Sequence, residues 1–582
     1  MKSFSNLVVV VISLFFIVQF NSKLSEVYSN EKTCVCAYDG FGYYLYLPAL
    51  FDQGTLNVDK EWSQSLQNEY CNGIDSYQLV QRKNGNYIDV YHMGLAFVEL
   101  PSYIVSDQFA RWLGYKTDGF SKPYQYGFLI NALLFILLGI YFLRKLLRLF
   151  FEDKITAALI AIVYLASNFY ITSVYQYDLT HIYLFALNAI FLYHFFKFCK
   201  NKNKKHLLFS AIILGLTFAI RPTQILWGIL PLVYFYNNKK DGISFWKSLL
   251  IYPLFAVLWN IPHLFYWKIV GGELILPNLH TEEIIIVDPN LIDFLFSYRK
   301  GWLLYSPVFI LFFISLGVLF KKNRVLFWSS LLFSFSYILV ASSWETWWYA
   351  ASFGARPMIE TYPLLLIGIG FLFQRLRSMF SKIVCATFVL LAIVLNLFQS
   401  SQFSQGILHA DRMSKEHYWY IFGRSEIDDY TEDRLLINRN DSNWIDNVHN
   451  SYQIETKEIF SLDSTISTPG RTPLTIGRIS LLDELKTDET SLEVTLKIST
   501  SDSTQHCYLQ METCSSFNCY KWETIEVSFG LRQDVFNEMI LKFNVTDIRH
   551  RNDYMQIYLY NPEDAEMTIE EFKVVATSII RP

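Results

Sequence analysis

Residues 126–143 read YGFLINALLFILLGIYFL, contain no charged side chain and are followed directly by Arg144 and Lys145. A helix needs about 20 mostly apolar residues to cross the roughly 30 Å of hydrocarbon in a bilayer. Runs of similar length and composition recur as far as about residue 400, and cationic residues flank many of them. The sequence therefore predicts a polytopic α-helical membrane protein.

The composition agrees with that prediction. The 582 residues are 52% hydrophobic and 17% aromatic, and only 18% are charged. Soluble domains have about 25% charged residues because their surfaces face water. The net charge is −4, and no basic block with interleaved aromatic residues stands out, so nucleic acid is not expected as a partner.

About eleven membrane spans are predicted. The apolar run 206–237 is interrupted by Arg221-Pro222, which favours two spans joined by a tight turn. The run 5–21 fits a cleaved signal peptide or a retained anchor, and the lack of a small-x-small cleavage site favours the anchor. The predicted spans are 5–21, 126–143, 155–174, 181–198, 206–220, 223–237, 247–268, 303–320, 326–343, 360–374 and 383–400.

Every second loop between these spans is rich in lysine and arginine, so all the cationic loops lie on one side of the membrane. This pattern is expected when cationic loops stay in the cytoplasm. The cytoplasmic set is Lys2, Arg144, Lys145, Arg148, Lys154, Lys197, Lys200, Lys202, Lys204, Lys205, Lys239, Lys240, Lys247, Lys321, Lys322, Arg324, Arg375, Arg377 and Lys382. The loop 22–125, the connections near 175–181, 269–302 and 344–359, and the whole C-terminal region then lie outside. We expect a plasma or inner membrane protein whose active site is extracytoplasmic.

Six of the eight cysteines fall on the outer side, where disulfides are favoured in most cells. They are Cys34, Cys36, Cys71, Cys507, Cys514 and Cys519. Cys514 and Cys519 form a plausible pair, and Cys71 can pair with either Cys34 or Cys36. The spacing alone does not fix the connectivity.

The first outer loop contains the first candidate residue, Asp39, within the stretch 36–48, CAYDGFGYYLYLP. Asp-Gly is a common turn pair, so a solvated turn aspartate is the simple interpretation. The proximity of a span end and of several tyrosines instead favours a catalytic carboxylate, with Tyr43 as a substrate contact. Later in the loop, 93–105 and then 109–113 are apolar but too short to span, which predicts an interfacial amphipathic helix or part of a small soluble subdomain.

The second outer connection holds Asp178 and His181, which are one helical turn apart if the following span begins there. Ionisable groups at a membrane boundary that face the bundle interior are functional candidates. Their predicted work is to bind an acceptor, to share a metal with Asp39, or to orient a phosphate.

Further outer charges come from Arg221, Lys300, Glu345 and Arg356. Arginine offers a planar fork of donors that suits phosphate. Acids and cations collected on one membrane face suit a lipid-anchored substrate that has both an anionic phosphate and sugar hydroxyls.

The arrangement resembles the GT-C glycosyltransferases, which take a sugar from a polyprenyl-phosphate carrier on the outer membrane face. More narrowly it is similar to the bacterial group of protein mannosyltransferases and aminoarabinose transferases. The resemblance covers residue 1 to about residue 430. It is carried by Asp39 in the first outer loop, the Arg221-Pro222 span end, Lys300-Gly301-Trp302, Tyr305-Ser306-Pro307, Phe353-Gly354-Ala355-Arg356-Pro357 and Tyr362-Pro363.

The resemblance implies that Asp39 is the general base of an inverting transfer and that Asp178 stands at a second acidic site. The phosphate role passes to Arg221, Lys300 or Arg356. Many family members have two adjacent acids at the first site or a glutamate at the second, whereas this chain has Tyr38-Asp39 and Asp178. That departure leaves the subfamily and any use of a divalent metal, held by Asp39 and Asp178, open.

The chain after residue 400 is predicted to form a connecting segment, 401–469, and an extracytoplasmic β-sandwich of the jelly-roll kind, 470–582. Alternating apolar and polar residues, as in 491–498, 539–545 and 554–560, indicate its strands. The sequence does not decide whether this domain binds carbohydrate or serves as a lid or scaffold.

The predicted function is therefore transfer of a sugar from a polyprenyl-phosphate donor to an extracytoplasmic glycan, lipid or protein. A lipid-linked carbohydrate transporter or flippase is the first alternative, but it would show paired repeats and mid-membrane charges. A non-enzymatic envelope assembly protein is the second.

Overall fold

The structure is a computed structural model with two compact units, Met1–Asp411 and Arg412–Pro582. Lys2, Lys239, Lys240, Lys247 and parts of the connecting segment 401–469 lie outside the described residues. The described residues are 3–30, 33–238, 248–276, 284–427, 434–436, 453–462, 466–467, 474–485, 490–500, 507–515, 519–527, 535–545, 553–560 and 567–580.

The described part of the first unit is mainly helical and contains one short hairpin. The helices are α1 Phe4–Ser29, α2 Tyr38–Phe51, α3 Lys60–Tyr70, α4 Gly94–Leu113, α5 Lys122–Leu147, α6 Asp153–Leu165, α7 Phe169–Tyr175, α8 Thr180–Asn201, α9 Lys204–Ile220, α10 Ile229–Asn237, α11 Ile251–Tyr266, α12 Leu291–Phe296, α13 Trp302–Tyr305, α14 Ile310–Lys322, α15 Arg324–Ser342, α16 Tyr362–Arg375 and α17 Met379–Ser404. The hairpin pairs β1 Leu79–Gln81 with β2 Tyr87–Asp89, antiparallel.

Local sequence sets several of these helix ends. The side chain of Asp59 accepts from the N–H of Glu61 at the start of α3, and Asn203 caps α9 in the same way through Lys205 N. Pro222 lies two residues after Ile220, the last residue of α9, and since proline cannot donate within a helix, the chain leaves α9 at Arg221. The break predicted in the run 206–237 therefore lies where the sequence placed it.

Within the part of the chain that the structure describes, six helices are long and apolar enough to cross a membrane. If α6 and α7, which are bent by 55° relative to each other, count as one broken span, the number of candidate spans rises to seven. The six are α1, α5, α8, α15, the stretch Arg356–Arg375 and α17. The predicted spans 206–220, 223–237, 247–268 and 303–320 coincide with helices that are shorter or interrupted, so the count of eleven stays a prediction.

Helix α4 forms where the apolar segment of the outer loop was expected to be helical. It exposes Ile104, Val105 and Trp112 and buries Glu99. An outward apolar side is typical of a helix that meets lipid. Its place in the membrane interface stays a prediction.

The core of the first unit is built by consecutive helices. Helix α8 packs against α5 on one side and α9 on the other, and α9 in turn packs against α11. Loop-borne segments cover this core, so that α2 packs on α4, and α4 packs on α5 and α9. The polar connections of the chain are thereby brought together beside the C-terminal end of α9.

The second unit contains the predicted strands. They are β3 Gln453–Leu462, β4 Ile466–Ser467, β5 Leu474–Ser480, β6 Thr490–Thr500, β7 Tyr508–Cys514, β8 Cys519–Glu526, β9 Asn537–Val545, β10 Tyr554–Tyr560 and β11 Met567–Ile580, with short helices α18 Lys415–Ile421 and α19 Leu481–Glu484. One sheet has the order β5-β10-β7-β8, and the other has β3-β11-β6-β9, with β4 also on β11. Buried residues from both sheets belong to one hydrophobic cluster.

Two disulfides are present. Cys34 joins Cys71, and Cys514 joins Cys519. The first of these decides between the two partners left open for Cys71. Cys36 is a buried free thiol.

Candidate active site

Asp39 lies in the first turn of α2, not in a solvated turn. Its Oδ1 accepts hydrogen bonds from the hydroxyls of Tyr77 and Tyr91, both at 2.8 Å. Its Oδ2 lies 3.3 Å from Nη2 of Arg356. The side chain is 31% exposed, so the carboxylate is held by three donors and still reaches open space.

The two tyrosines reach Asp39 because the β1–β2 hairpin turns the chain back on itself. Tyr77 precedes β1, and Tyr91 follows β2. Asp89 fixes the second of them, since its Oδ1 accepts from Tyr91 N–H at 2.9 Å. Burial and the Asp39 carboxylate raise the pKa of Tyr77 and of Tyr91, which keeps both hydroxyls protonated as donors.

The glycines beside Asp39 allow close approach rather than a turn. A Cβ on Gly40 would lie 2.8 Å from Oδ2 of Asp178. A Cβ on Gly42 would lie 2.4 Å from the ring of Tyr91. Both glycines sit inside α2, where the missing side chain leaves room for a neighbour.

A second charged group is built around Glu360. This fully buried carboxylate places Oε1 at 3.2 Å from Nδ1 of His181 and at 3.2 Å from Nη1 of Arg221. Gln224 donates to its other oxygen. Arg221 stands at the C-terminal end of α9, and His181 lies in the first turn of α8, so the helix packing brings the three together.

Glu360 was not a sequence candidate, because it was assigned to the start of the span 360–374. A carboxylate inside an apolar segment is itself a signal for function or for a buried partner. Its cationic partner Arg221 lies 139 positions earlier in the chain, and no local pattern connects the two.

Asp39 lines one cavity of about 360 Å³ in the first unit together with His181 and Arg221, the two partners of Glu360. Of the sequence candidates, five line it: Asp39, Tyr43, His181, Arg221 and Arg356. Aromatic side chains line it as well, among them Tyr91, Tyr337, Trp344 and Tyr349. Burial raises the pKa of Tyr43 to about 12, so its hydroxyl stays protonated and can donate into the cavity.

The other three candidates are not among the lining residues. Asp178 accepts from the N–H of Ala37 at 3.3 Å, just before α2, and burial raises its pKa to about 6. Lys300 is buried and donates to the carbonyls of Ser352 and Ala410. Glu345 is fully buried.

Asp178 and Lys300 both form hydrogen bonds to backbone groups, and the sequence did not predict these contacts. Asp178 supports the helix that carries Asp39. Burial lowers the pKa of Lys300 well below its ordinary value, and the ammonium serves two backbone carbonyls rather than the cavity.

Metal-ligand geometry is limited among the described residues. One group of three His, Cys, Asp or Glu ligand atoms lies within 4.8 Å, at Glu512, Cys514 and Cys519, and its two cysteines form a disulfide. Near Asp39 the oxygens already have donors, and Asp178 Oδ2 is directed at the Ala37 N–H. The divalent metal that Asp39 and Asp178 were expected to share stays a hypothesis.

One comparison with known proteins matches a part of the helical unit. Residues 120–267 match the family described as dolichyl-phosphate-mannose-protein mannosyltransferase. The match includes Asp178, His181 and Arg221 and runs from the start of α5 to the end of α11. The match lies within the helical unit, and the apolar helices of the described residues agree with an integral membrane protein.

The other comparisons add no functional argument. No curated protein matches the chain. Among solved structures, a chain of the infectious bursal disease virus VP2 subviral particle is similar at 10% identity over 22% of this chain, with a TM-score of 0.18. This chain covers 33% of that chain, and a likeness of this degree carries no conclusion.

Proposed function

We propose that the protein transfers a sugar from a polyprenyl-phosphate donor to an extracytoplasmic glycan, lipid or protein, with inversion at the anomeric carbon and Asp39 as general base. One observation carries the proposal. A partly exposed carboxylate, oriented by Tyr77, Tyr91 and Arg356, lines the same cavity as Arg221, which is paired with the buried Glu360.

The chemistry needs a base beside the attacking hydroxyl. The acceptor O–H gives its proton to Asp39 as its oxygen forms the new bond to the anomeric carbon. The bond between that carbon and the phosphate oxygen breaks, and the polyprenyl phosphate leaves with the electron pair. Tyr77 and Tyr91 occupy Oδ1, so we assign proton transfer to Oδ2, on the side of Arg356.

Two arginines are suited to the departing phosphate. Arg221 uses Nη1 for His181 and Glu360, and a guanidinium has five N–H donors in all. Arg356 uses Nη2 for Asp39, and its Nε has no hydrogen-bond partner among the described residues. Donors fixed in place before charge develops on the phosphate stabilise the transition state strongly. Lys300 is left out of this role because its ammonium serves backbone carbonyls.

The acceptor side of the reaction is assigned to the extracytoplasmic face. The alternation of lysine and arginine between loops supports this assignment, since it places the connections that carry Asp39, Arg221 and Arg356 opposite the cationic loops. A polyprenyl phosphate cannot leave the bilayer, so its head group has to meet these side chains at the membrane surface.

The test is an assay of purified protein in lipid nanodiscs with a panel of polyprenyl-phosphate hexoses and pentoses, measuring release of polyprenyl phosphate in the presence of candidate acceptors. Asp39→Asn should lower the rate by about 10²–10⁴-fold, the range for loss of a general base. Asp52→Asn is the matched control, because Asp52 ends the same helix and is exposed.

The control variant should keep the parental rate. Both variants should insert and elute as the parent does on size exclusion. A parental rate in Asp39→Asn with every active donor would overturn the assignment of the base, and no turnover by the parent with any donor would overturn the transferase proposal.

A further inference from the structure

The four-stranded sheet of the second unit has an outer face with an unusual chemistry. Along β7 and β10, alternate residues are buried in the cluster shared with the other sheet, and those between them point outward. The outward residues are Arg478 on β5, Tyr554, Gln556, Tyr558 and Tyr560 on β10, Tyr508, Gln510 and Glu512 on β7, and Trp522, Thr524 and Glu526 on β8. We call this set the aromatic–amide face.

The strand register places these side chains in rows across the sheet. Gln556 is paired with Arg478 on one side and with Glu512 on the other, and Glu512 is paired with Trp522. A row therefore presents a cation, an amide, a carboxylate and an indole side by side. The next row adds Tyr558 opposite Gln510.

Contacts within the face hold several of these groups in place. Tyr558 donates to Oε1 of Glu512 at 2.5 Å, and Gln510 donates to the same oxygen at 3.0 Å. The guanidinium carbon of Arg478 lies 3.4 Å from the ring centre of Tyr554. Trp522 remains 58% exposed, so a large flat ring is presented to solvent beside prearranged polar groups.

The other sheet provides an internal comparison. Its outer face has lysine–glutamate pairs, Lys573 with Glu458 at 2.7 Å and Lys497 with Glu570 at 2.5 Å, and one exposed apolar residue on β9, Ile540. Both sheets cover the same core, so the need to remain soluble acts on both faces alike. Solubility accounts for the charged face but not for the aromatic–amide face, since exposed tryptophan and tyrosine add nothing to it.

We propose that the aromatic–amide face binds a linear chain of neutral hexoses. A sugar ring has an apolar C–H side, which packs on indole and phenol rings, and a rim of hydroxyls that donate and accept. Amides and carboxylates beside the rings match adjacent hydroxyls because they too provide paired donors and acceptors. An open sheet face suits several consecutive sugars, whereas a pocket suits one.

The charges on the face favour a neutral ligand over an acidic one. Glu512 and Glu526 outnumber Arg478 among its outward charged residues, and Arg478 is already stacked on Tyr554. An acidic polysaccharide would meet a face without a cationic surplus. This binding goes beyond sugar transfer and does not need Asp39.

The experiment uses the full-length protein in nanodiscs and calorimetric titration with hexamers of mannose, glucose and galactose in α- and β-linkage. We expect at least one hexamer to bind, and Trp522→Ala to weaken that binding about tenfold, as loss of one central aromatic contact does. Glu512→Gln keeps the size of the side chain and changes its hydrogen bonding, and it should weaken binding as well.

Two controls separate this site from the rest of the chain. Lys573→Ala changes the outer face of the other sheet and should bind like the parent. Asp39→Asn should also bind like the parent, so a failure of the transferase proposal leaves this result intact. Thermal unfolding of each variant checks that its second unit is folded.

Three results would overturn the proposal. The first is that no hexamer binds at millimolar concentration. The second is that Trp522→Ala and Glu512→Gln, both folded, bind like the parent. The third is that only acidic polysaccharides bind and that raising the salt concentration to 0.5 M abolishes this binding.

Discussion

Asp39 takes its orientation from residues far along the chain. Tyr77 and Tyr91 both donate to Oδ1, and Arg356 approaches Oδ2. A carboxylate with one oxygen occupied by two donors has its second oxygen aimed in a fixed direction. In the proposed reaction this fixed direction holds the carboxylate oxygen ready to accept the acceptor proton. Such positioning lowers the activation barrier because less orientational entropy is lost in the transition state.

Removing one of these donors tests the orientation. Tyr91→Phe should lower kcat about tenfold and leave KM nearly unchanged, because the ring and its packing on Tyr43 remain while one hydrogen bond to Asp39 is lost. The measurement is steady-state transfer from the preferred donor. Tyr87→Phe, on the same hairpin, serves as the control and should behave as the parent. An unchanged kcat in Tyr91→Phe would contradict the positioning role.

We expect Asp178 to give the site a pH dependence. Burial raises its pKa from the ordinary 3.8 to about 6, and the Asp39 charge adds to that rise. The folded protein therefore binds more protons than the unfolded chain between pH 4 and 6, and the contribution of this group to stability falls as pH rises through that window. Protonation below about pH 6 weakens the acceptor for Ala37 N–H and loosens the start of α2.

We accordingly expect transfer to fall as pH drops through about 6, although global stability gains from the same protonation. Asp178→Asn cannot titrate and should lose this acid limb, with a lower rate at neutral pH because an amide is a weaker acceptor than a carboxylate. Asp75→Asn changes a well-exposed carboxylate of the first outer loop and should keep the limb. Parallel pH–rate profiles for parent and Asp178→Asn would refute the assignment.

At the scale of the elements, glycines let the helices that carry the site approach each other. A Cβ on Gly94, at the start of α4, would lie 2.2 Å from the backbone carbon of Ala219 in α9. Helix α9 ends one residue later, at Ile220, and Arg221 follows. The position of Arg221 relative to the cavity therefore depends on the absence of a side chain at Gly94.

Gly94→Ala should destabilise the protein by about 1–3 kcal/mol, the usual cost of overpacking, because backbone atoms have to move. It should also weaken donor binding, since Arg221 moves with α9. Gly317→Ala in α14 is the control, because its Cβ would meet nothing within 4 Å, and alanine there should match or raise stability. Thermal unfolding and donor KM give the two readouts, and equal melting temperatures for both variants would disprove the argument.

The element boundaries show what the sequence can predict and where it stops. The end of α9 was predictable because Pro222 interrupts an apolar run. The bend between α6 and α7 was not, because the run 155–174 contains neither proline nor glycine. The one local sign of the bend is the polar pair Ser167-Asn168 within this run. The side chain of Asn168 accepts a hydrogen bond from the Tyr362 hydroxyl and donates one to the carbonyl of Phe353.

At the scale of the whole molecule, the apolar runs and the cationic loops predicted the helical membrane unit, and alternation predicted the β-sheet unit. The sequence could name Asp39, Arg221 and Arg356 because each stands out locally. It could not find Glu360 or the two tyrosines on Asp39, since their roles arise from contacts across long separations. Nor could it tell that Lys300 serves backbone carbonyls, because burial is a property of the fold.

The side of the membrane on which the cavity opens is the last testable consequence, since a polyprenyl-phosphate donor on the outer leaflet requires an outward site. Single cysteines at two exposed positions report it: Gln53→Cys just after α2 and Lys204→Cys at the start of α9, each made with Cys199 and Cys385 changed to serine. In sealed right-side-out vesicles, a membrane-impermeant maleimide should label Gln53→Cys at once and Lys204→Cys only after detergent is added, because lysine-rich loops are retained in the cytoplasm.

The parent without either new cysteine gives the background. Labelling of Lys204→Cys alone in sealed vesicles would place Asp39 on the cytoplasmic side, and the donor would then have to be drawn from the inner leaflet.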